Sequence, residues 1–274
     1  LNRSRALAAG TRGFIVAVGG DGKAARKAVP ILRRFAELCG GSRAHIAILS
    51  AGSDEEDFAD RYERAFRGLG VNRVSAFNFE NRTDCERARD DSLGGVDGVF
   101  LIGSDPARLS ETLSATPVAQ QIGRLNAKGT HVAGVSAGAA FLPRQMIVAG
   151  KSGTTPRADI VELAPGLCLI DKLVIDQHFR HQDRLGRMLM ALTYNPDAIG
   201  IGLDEDTAAF IGPDQKLQVV GTGGITVVDT SRLQHSAIHP DRRHAPVSMV
   251  GLHLDILVEG NAYDMSAHLA SIGR

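Results

Sequence analysis

What this chain has little of is charge in excess, cysteine and long apolar runs. Its 31 basic and 31 acidic residues cancel, so nothing in the charge balance suits capture by nucleic acid or by an acidic membrane surface. Only Cys39, Cys85 and Cys168 carry thiols, widely spaced and without a C-x-x-C pair. That excludes a disulfide framework and a cysteine zinc site, and it fits a reducing, cytoplasmic compartment. A first residue of Leu rather than Met suits a chain that is truncated or processed at its start, which leaves export open beside the cytoplasm. No apolar stretch reaches the roughly 20 residues needed to span a bilayer. There is no internal repeat, low-complexity tract or clear linker, and no cofactor-binding motif holds up. The 274 residues, 43% of them apolar, suffice for a large core in one domain over 1–274. Residues 1–12 are polar and basic and read as a loose arm.

What the chain does have is a complete G-x-S-x-G at Gly134-Val135-Ser136-Ala137-Gly138. The apolar run before it suits a buried strand, and the small residues after it suit the first turn of a helix. In that context the motif is a nucleophile turn, with the hydroxyl of Ser136 exposed and the amide of Ala137 placed to stabilise an oxyanion. A plain strand-to-helix turn with Ser136 as a cap is the competing reading.

The flanking pattern alternates strand and helix. Strands are predicted at Phe14–Val18, His45–Leu49, Val74–Phe77, Val96–Ile102 and just before Ser136. Helices are predicted at Ala24–Leu38, with Pro30 near its true start, after the capping box Ser53–Glu56, with Phe58, Tyr62, Ala65, Phe66 and Leu69 on one face, at Arg82–Asp91, at Arg108–Leu113 and at Pro117–Lys128. This is the pattern of a doubly wound, mostly parallel sheet. Ligand sites in such sheets lie beyond the carboxyl ends of the strands, so the loops at 19–22 and 103–106 should share a crevice with Ser136. Gly19–Lys23 imitates a phosphate cradle, but Ala17 and Ala24 stand where a Walker A loop needs Gly and Ser or Thr. After Ser136 come short strands at Met146–Val148 and Leu173–Ile175 and a helix with Leu185, Met188, Leu189 and Leu192 inward. The rest is mostly β, at Ile199–Leu203, Ala208–Ile211, Leu217–Val220, Ile225–Val228 and Val250–Leu257.

A serine nucleophile needs a base. Of nine histidines, His178 is best placed, just beyond a predicted strand. His181 three residues on raises a metal pair, but no ligand cluster accompanies it, and no metal is expected. His235, His239 and His244 lie in a polar loop. An α/β-hydrolase order of Ser136, Asp204 and His253 is a weaker alternative.

The stretches GVSAGAA, TPR, LVIDQHFRHQDRLGRML and GIGLDEDTA, in that order, resemble the cyanophycinases, a serine-peptidase family that also includes aspartyl dipeptidase E. The resemblance spans nearly the whole chain. It implies a three-layer α/β/α fold like that of class I glutamine amidotransferases, a homodimer, and hydrolysis of cyanophycin or a related β-Asp-Arg isopeptide. It makes Ser136 the nucleophile, His178 its base, and the amides near Gly103 and at Ala137 the oxyanion hole. Ser104, Asp105 and Gln177 fall on the substrate side. It places the acid of the triad directly before Thr155-Pro156-Arg157, at Thr154, which cannot supply a negative charge; Asp159, Glu162 and Asp176 are the carboxylates nearby. It also expects glutamine where Pro106 stands. Both departures raise a second reading, a catalytically impaired homologue that acts as a binding or regulatory partner.

Overall fold

The computed structural model describes residues 12–20, 29–51, 56–89, 91–237 and 245–273. The expected arm (apart from Arg12), the helix start at 24–28, the capping-box residues Ser53 to Glu55, His239 and His244 lie outside the described residues.

Five strands come first: β1 (Ile15–Val18), β2 (His45–Ala51), β3 (Arg73–Phe79), β4 (Gly98–Gly103) and β5 (His131–Ser136). Between them run α1 (Val29–Leu38), α2 (Glu56–Gly68), α3 (Arg82–Arg87), α4 (Pro106–Leu113) and α5 (Pro117–Ala127). The chain continues through α6 (Ala137–Phe141), β6 (Gln145–Gly150), β7 (Val161–Pro165), β8 (Leu173–Asp176), α7 (Leu185–Tyr194), β9 (Ile199–Leu203) and β10 (Thr207–Ile211). It closes with β11 (Lys216–Gly221), β12 (Ile225–Asp229), β13 (His235–Ala237), β14 (Ser248–Val250), β15 (His253–Leu257), β16 (Ala262–Asp264) and β17 (Leu269–Ser271).

The main sheet has the order β17-β16-β11-β10-β1-β5-β4-β2-β3. Its β1 to β5 half is parallel, as the alternation predicts, and β10 joins β1 antiparallel to open a meander at the other edge. A second sheet, β15-β12-β9-β8, lies over one face; its β8 and β9 are parallel. Successive β4 residues serve opposite layers, as strand geometry requires. Phe100 and Ile102 pack with Phe35 of α1 and Tyr62 and Phe66 of α2, while Val99 and Leu101 pack with Leu109, Ile122 and Phe141 of α4, α5 and α6. The Phe66 and Phe100 rings meet edge-on, centroids 5.2 Å apart. Each such fully buried side chain contributes about 1.5–3 kcal/mol. On the far side of the small sheet α7 buries Met188 and Leu192 against Val174 and Val228. The architecture is three-layer α/β/α with the small sheet set into one layer.

Some boundaries differ from the sequence expectation for identifiable reasons. The expected strand Val250–Leu257 is two strands, because Gly251 takes φ 87° and bends the chain between them. Helix α3 stops at Arg87, where Ala88 turns extended. Helix α4 begins two residues early, at Pro106, because Asp105 caps it by accepting from the amides of Ala107 and Arg108.

Candidate active site

Ser136 ends β5 and opens α6 with φ 55° and ψ −120°, a conformation that costs an L-residue of order 1–3 kcal/mol. The flanking glycines permit the turn by close approach: a β-carbon on Gly134 would stand 2.2 Å from the Gly138 carbonyl oxygen, and one on Gly138 2.5 Å from that of Leu101. Gly103 ends the neighbouring strand in register with Ser136, and a β-carbon there would lie 3.5 Å from that of Ala137. The amide regions expected to hold an oxyanion therefore stand side by side next to the hydroxyl.

His178 reaches Ser136 from the loop after β8, with Nε2 3.3 Å from Oγ. The loop is pinned to two strand ends: His178 N donates to Gly19 O at 3.3 Å and Phe179 N to Leu203 O at 3.0 Å. Beneath it, the fully buried Asp176 takes a bidentate pair of bonds from Arg187 and a third from Arg184, which also donates to the Gln177 carbonyl at 2.6 Å. Burial lowers the pKa of Arg184, and the attraction of Asp176 opposes that.

The other imidazole nitrogen has a carboxylate. Nδ1 of His178 lies 2.9 Å from Oε1 of Glu205, in the loop after β9. Strands β8 and β9 run parallel in register, Asp176 opposite Gly202, so the loops leaving their carboxyl ends carry His178 and Glu205 to the same place. Burial pushes the Glu205 carboxyl up, but the hydrogen bond from His178, a backbone bond and the nearby His178 and His181 outweigh it, and the group is held below the usual glutamate range.

Thr154, the residue expected at the acid's position, is placed elsewhere. It lines a groove of about 450 Å³ with Phe179, Arg180 and Arg184, in a loop that Gly153 ties to Asp183 and Gly186. Of Asp159, Glu162 and Asp176, the last lies beneath the histidine loop, and its bonds go to arginines. The carboxylate that meets His178 is that of Glu205, inside the GIGLDEDTA stretch; a carboxylate on a loop leaving the strand beside His178's strand was the signal for it. Asp105 spends its side chain on capping α4, and Pro106 sits in that helix's first turn, where an amide proton has no partner to lose. Gln177 is buried beside the site with its Oε1 unpaired by any described residue. His181 stands 3.8 Å from Glu205. Asp204 binds the amides of Arg180 and Gly224, and His253 pairs with Asp255, so neither completes a triad with Ser136.

A cavity of about 210 Å³ opens on Ser136 and His178, lined also by Gly20, Ile102, Gly103, Ser104 and Val135, and by Phe58 and Tyr62 of α2. The crevice shared by the loops after β1, β4 and β5 is present as expected; the two aromatic residues had no signal in the sequence beyond their helical spacing.

A strained serine at a strand-to-helix turn, with an imidazole and a carboxylate in line behind it, defines a serine-type hydrolase. The model of peptidase family S51 matches residues 14–219. The chain is 39% identical over 239 residues to a cyanophycinase from Nostoc sp., which covers 86% of this chain and 80% of the relative. It is 35% identical over 265 residues to a cyanophycinase from Synechococcus elongatus, covering 94% and 81%. In fold it is similar to the crystal structure of a peptidase from an acI-B1 Actinobacterium, with TM-score 0.64 and 19% identity over 94% of this chain and 98% of that one. The chain belongs to peptidase family S51, and it is a serine-type peptidase.

Proposed function

We propose that the chain hydrolyses cyanophycin or a related β-Asp-Arg isopeptide with Ser136 as nucleophile, His178 as base and Glu205 as the acid of the triad. The observation that carries this is the unbroken line from Ser136 Oγ to His178 Nε2, 3.3 Å, and from His178 Nδ1 to Glu205, 2.9 Å. The Oγ–Nε2 distance is long for a formed bond and within the range that tightens when substrate binds. Ser136 Oγ attacks the scissile carbonyl as His178 Nε2 takes its proton, and the Gly103 and Ala137 amide regions receive the developing oxyanion. The carbonyl re-forms, the C–N bond breaks, and His178 passes the proton to the leaving amine. Water, deprotonated by His178, then attacks the acyl carbon; the bond to Ser136 Oγ breaks and His178 returns the proton to that oxygen. Glu205 keeps Nδ1 protonated and stabilises the imidazolium between these steps.

With a carboxylate in place, the reading as an impaired homologue loses its main support, since Thr154 and Pro106 no longer mark missing parts. We read the working form as a homodimer, as the family resemblance implies. The cytoplasm as its compartment is favoured by three cysteines that are all free thiols.

The test is release of β-Asp-Arg from cyanophycin, followed by mass spectrometry, with Ser136→Ala alongside and a fluorophosphonate label on both. Release and stoichiometric labelling by wild type, with neither in Ser136→Ala, is expected. Equal release by Ser136→Ala would remove Ser136 from the mechanism.

A further inference from the structure

The cavity against Ser136 has one wall that the hydrolytic chemistry does not use, and it is aromatic. Phe58 and Tyr62 are one turn apart on α2, so their side chains share a face of the helix. Tyr62 is fixed by the core: it is 4% exposed and its ring centroid lies 4.8 Å from that of Phe100. Phe58 is 40% exposed, so it remains open to solvent at the cavity while lining it. Leaving part of a phenylalanine in water forgoes some of its burial free energy, and beside a nucleophile such a ring is a contact surface for the bound substrate. With Ile102 and Val135 lining the same cavity as Ser136 and His178, the walls suit an apolar stem that ends in a flat group.

We propose that Phe58 and Tyr62 determine specificity at this site, and that their wall takes an arginine side chain, its methylenes against Ile102 and Val135 and its guanidinium stacked on Phe58. This rests on the reading of the site as a peptidase of β-Asp-Arg isopeptides and adds which element of the chain reads the arginine. A guanidinium is planar, delocalised and weakly hydrated, and stacks on an aromatic face; an ammonium of equal charge is compact and holds its water. The wall therefore separates arginine from lysine by shape and hydration rather than by charge. A half-exposed ring leaves the outer edge of the guanidinium in water, which keeps its desolvation cost small.

The test uses the whole chain and short aspartate oligomers whose side-chain carboxyls carry one amino acid in β-linkage, arginine, lysine, or citrulline, which is planar but uncharged, and follows release of the corresponding β-linked dipeptide. Wild type is expected to cleave the arginine form with kcat/KM at least about tenfold above the lysine form, citrulline falling between. Phe58→Ala should raise KM for the arginine form about fivefold to twentyfold, change kcat less than about threefold, and bring arginine and lysine within about threefold of each other. Phe58→Tyr should keep the preference. Cleavage by Phe58→Ala with unchanged KM and undiminished preference overturns the proposal and leaves the peptidase reading intact. If wild type cleaves none of the three, the proposed β-Asp-Arg substrate fails and calorimetry decides, with the arginine form titrated into Ser136→Ala with and without Phe58→Ala. Weaker binding by the double variant upholds the wall; equal binding, or none by either, overturns it.

Discussion

The imidazole of His178 rests on the backbone of Gly20: a β-carbon on residue 20 would stand 2.6 Å from its Cε1. Gly20 also has φ 115°, which L-residues rarely adopt, and its carbonyl accepts from the Asp206 amide at 2.9 Å. One residue thus fixes the floor under the base and the loop that carries its carboxylate. Gly20→Ala should displace the imidazole, and a misplacement near 1 Å costs about 10²-fold in rate. Steady-state kcat on cyanophycin, with circular dichroism to show a retained fold, checks this; a kcat within threefold of wild type would mean that the ring can move without loss.

Glu205 and Thr154 separate cleanly. Glu205→Gln should lower kcat by about 10⁴-fold, because the imidazolium loses its counter-charge and the tautomer its anchor. Thr154→Glu should leave kcat within about threefold, since residue 154 faces the groove behind the histidine loop. A gain in activity on placing a carboxylate at 154 would contradict the assignment of Glu205.

Asp176 holds two arginines and is fully buried. Asp176→Asn removes the carboxylate that both guanidiniums share and should destabilise the fold by about 3–5 kcal/mol in urea unfolding. A loss below about 1 kcal/mol would show that the arginines find water instead.

His131 gives the fold a dependence on pH. Its Nδ1 accepts from the Phe14 amide at 3.0 Å, so the ring must stay neutral to hold that bond. Burial lowers its pKa, against the carbonyl of Leu38 and the charge of Asp97, which raise it. The neutral form is the one the fold favours. Its stabilisation is therefore complete above the ordinary histidine range near ~6.5 and is lost as pH falls toward the lower folded-state value. Thermal unfolding at pH 7.5 and 5.5 should show a smaller drop in Tm for His131→Gln than for wild type.

Much of the fold was legible because its first half repeats one physical pattern. Apolar runs such as Val99–Ile102, short and bounded by Gly98 and Gly103, suit strands buried on both faces, and the helices between them show their stripe. Ser136 was legible because its turn needs glycines at fixed offsets. Strands β16 and β17 were not, since Leu269 is exposed and the buried anchor, Tyr263, stands alone in its segment. Glu205 was hidden for a different reason. It lies 27 residues beyond His178, and only the parallel pairing of β8 with β9 brings the two together. Phe58 and Tyr62 read as an ordinary helix stripe, because spacing tells which face a residue shares and not what the end of that face overlooks.

The left-handed backbone at Ser136 has a consequence for anyone who breeds this protein for heat resistance. Glycine adopts φ 55° and ψ −120° without the penalty that serine bears there, and the gain, of order 1–3 kcal/mol, exceeds the roughly 0.5–1 kcal/mol of added freedom in the unfolded chain. Ser136→Gly should therefore melt higher than wild type while cleaving nothing. A library screened for survival at high temperature alone will accumulate dead proteins at this position, and only a paired selection for turnover will keep the hydroxyl.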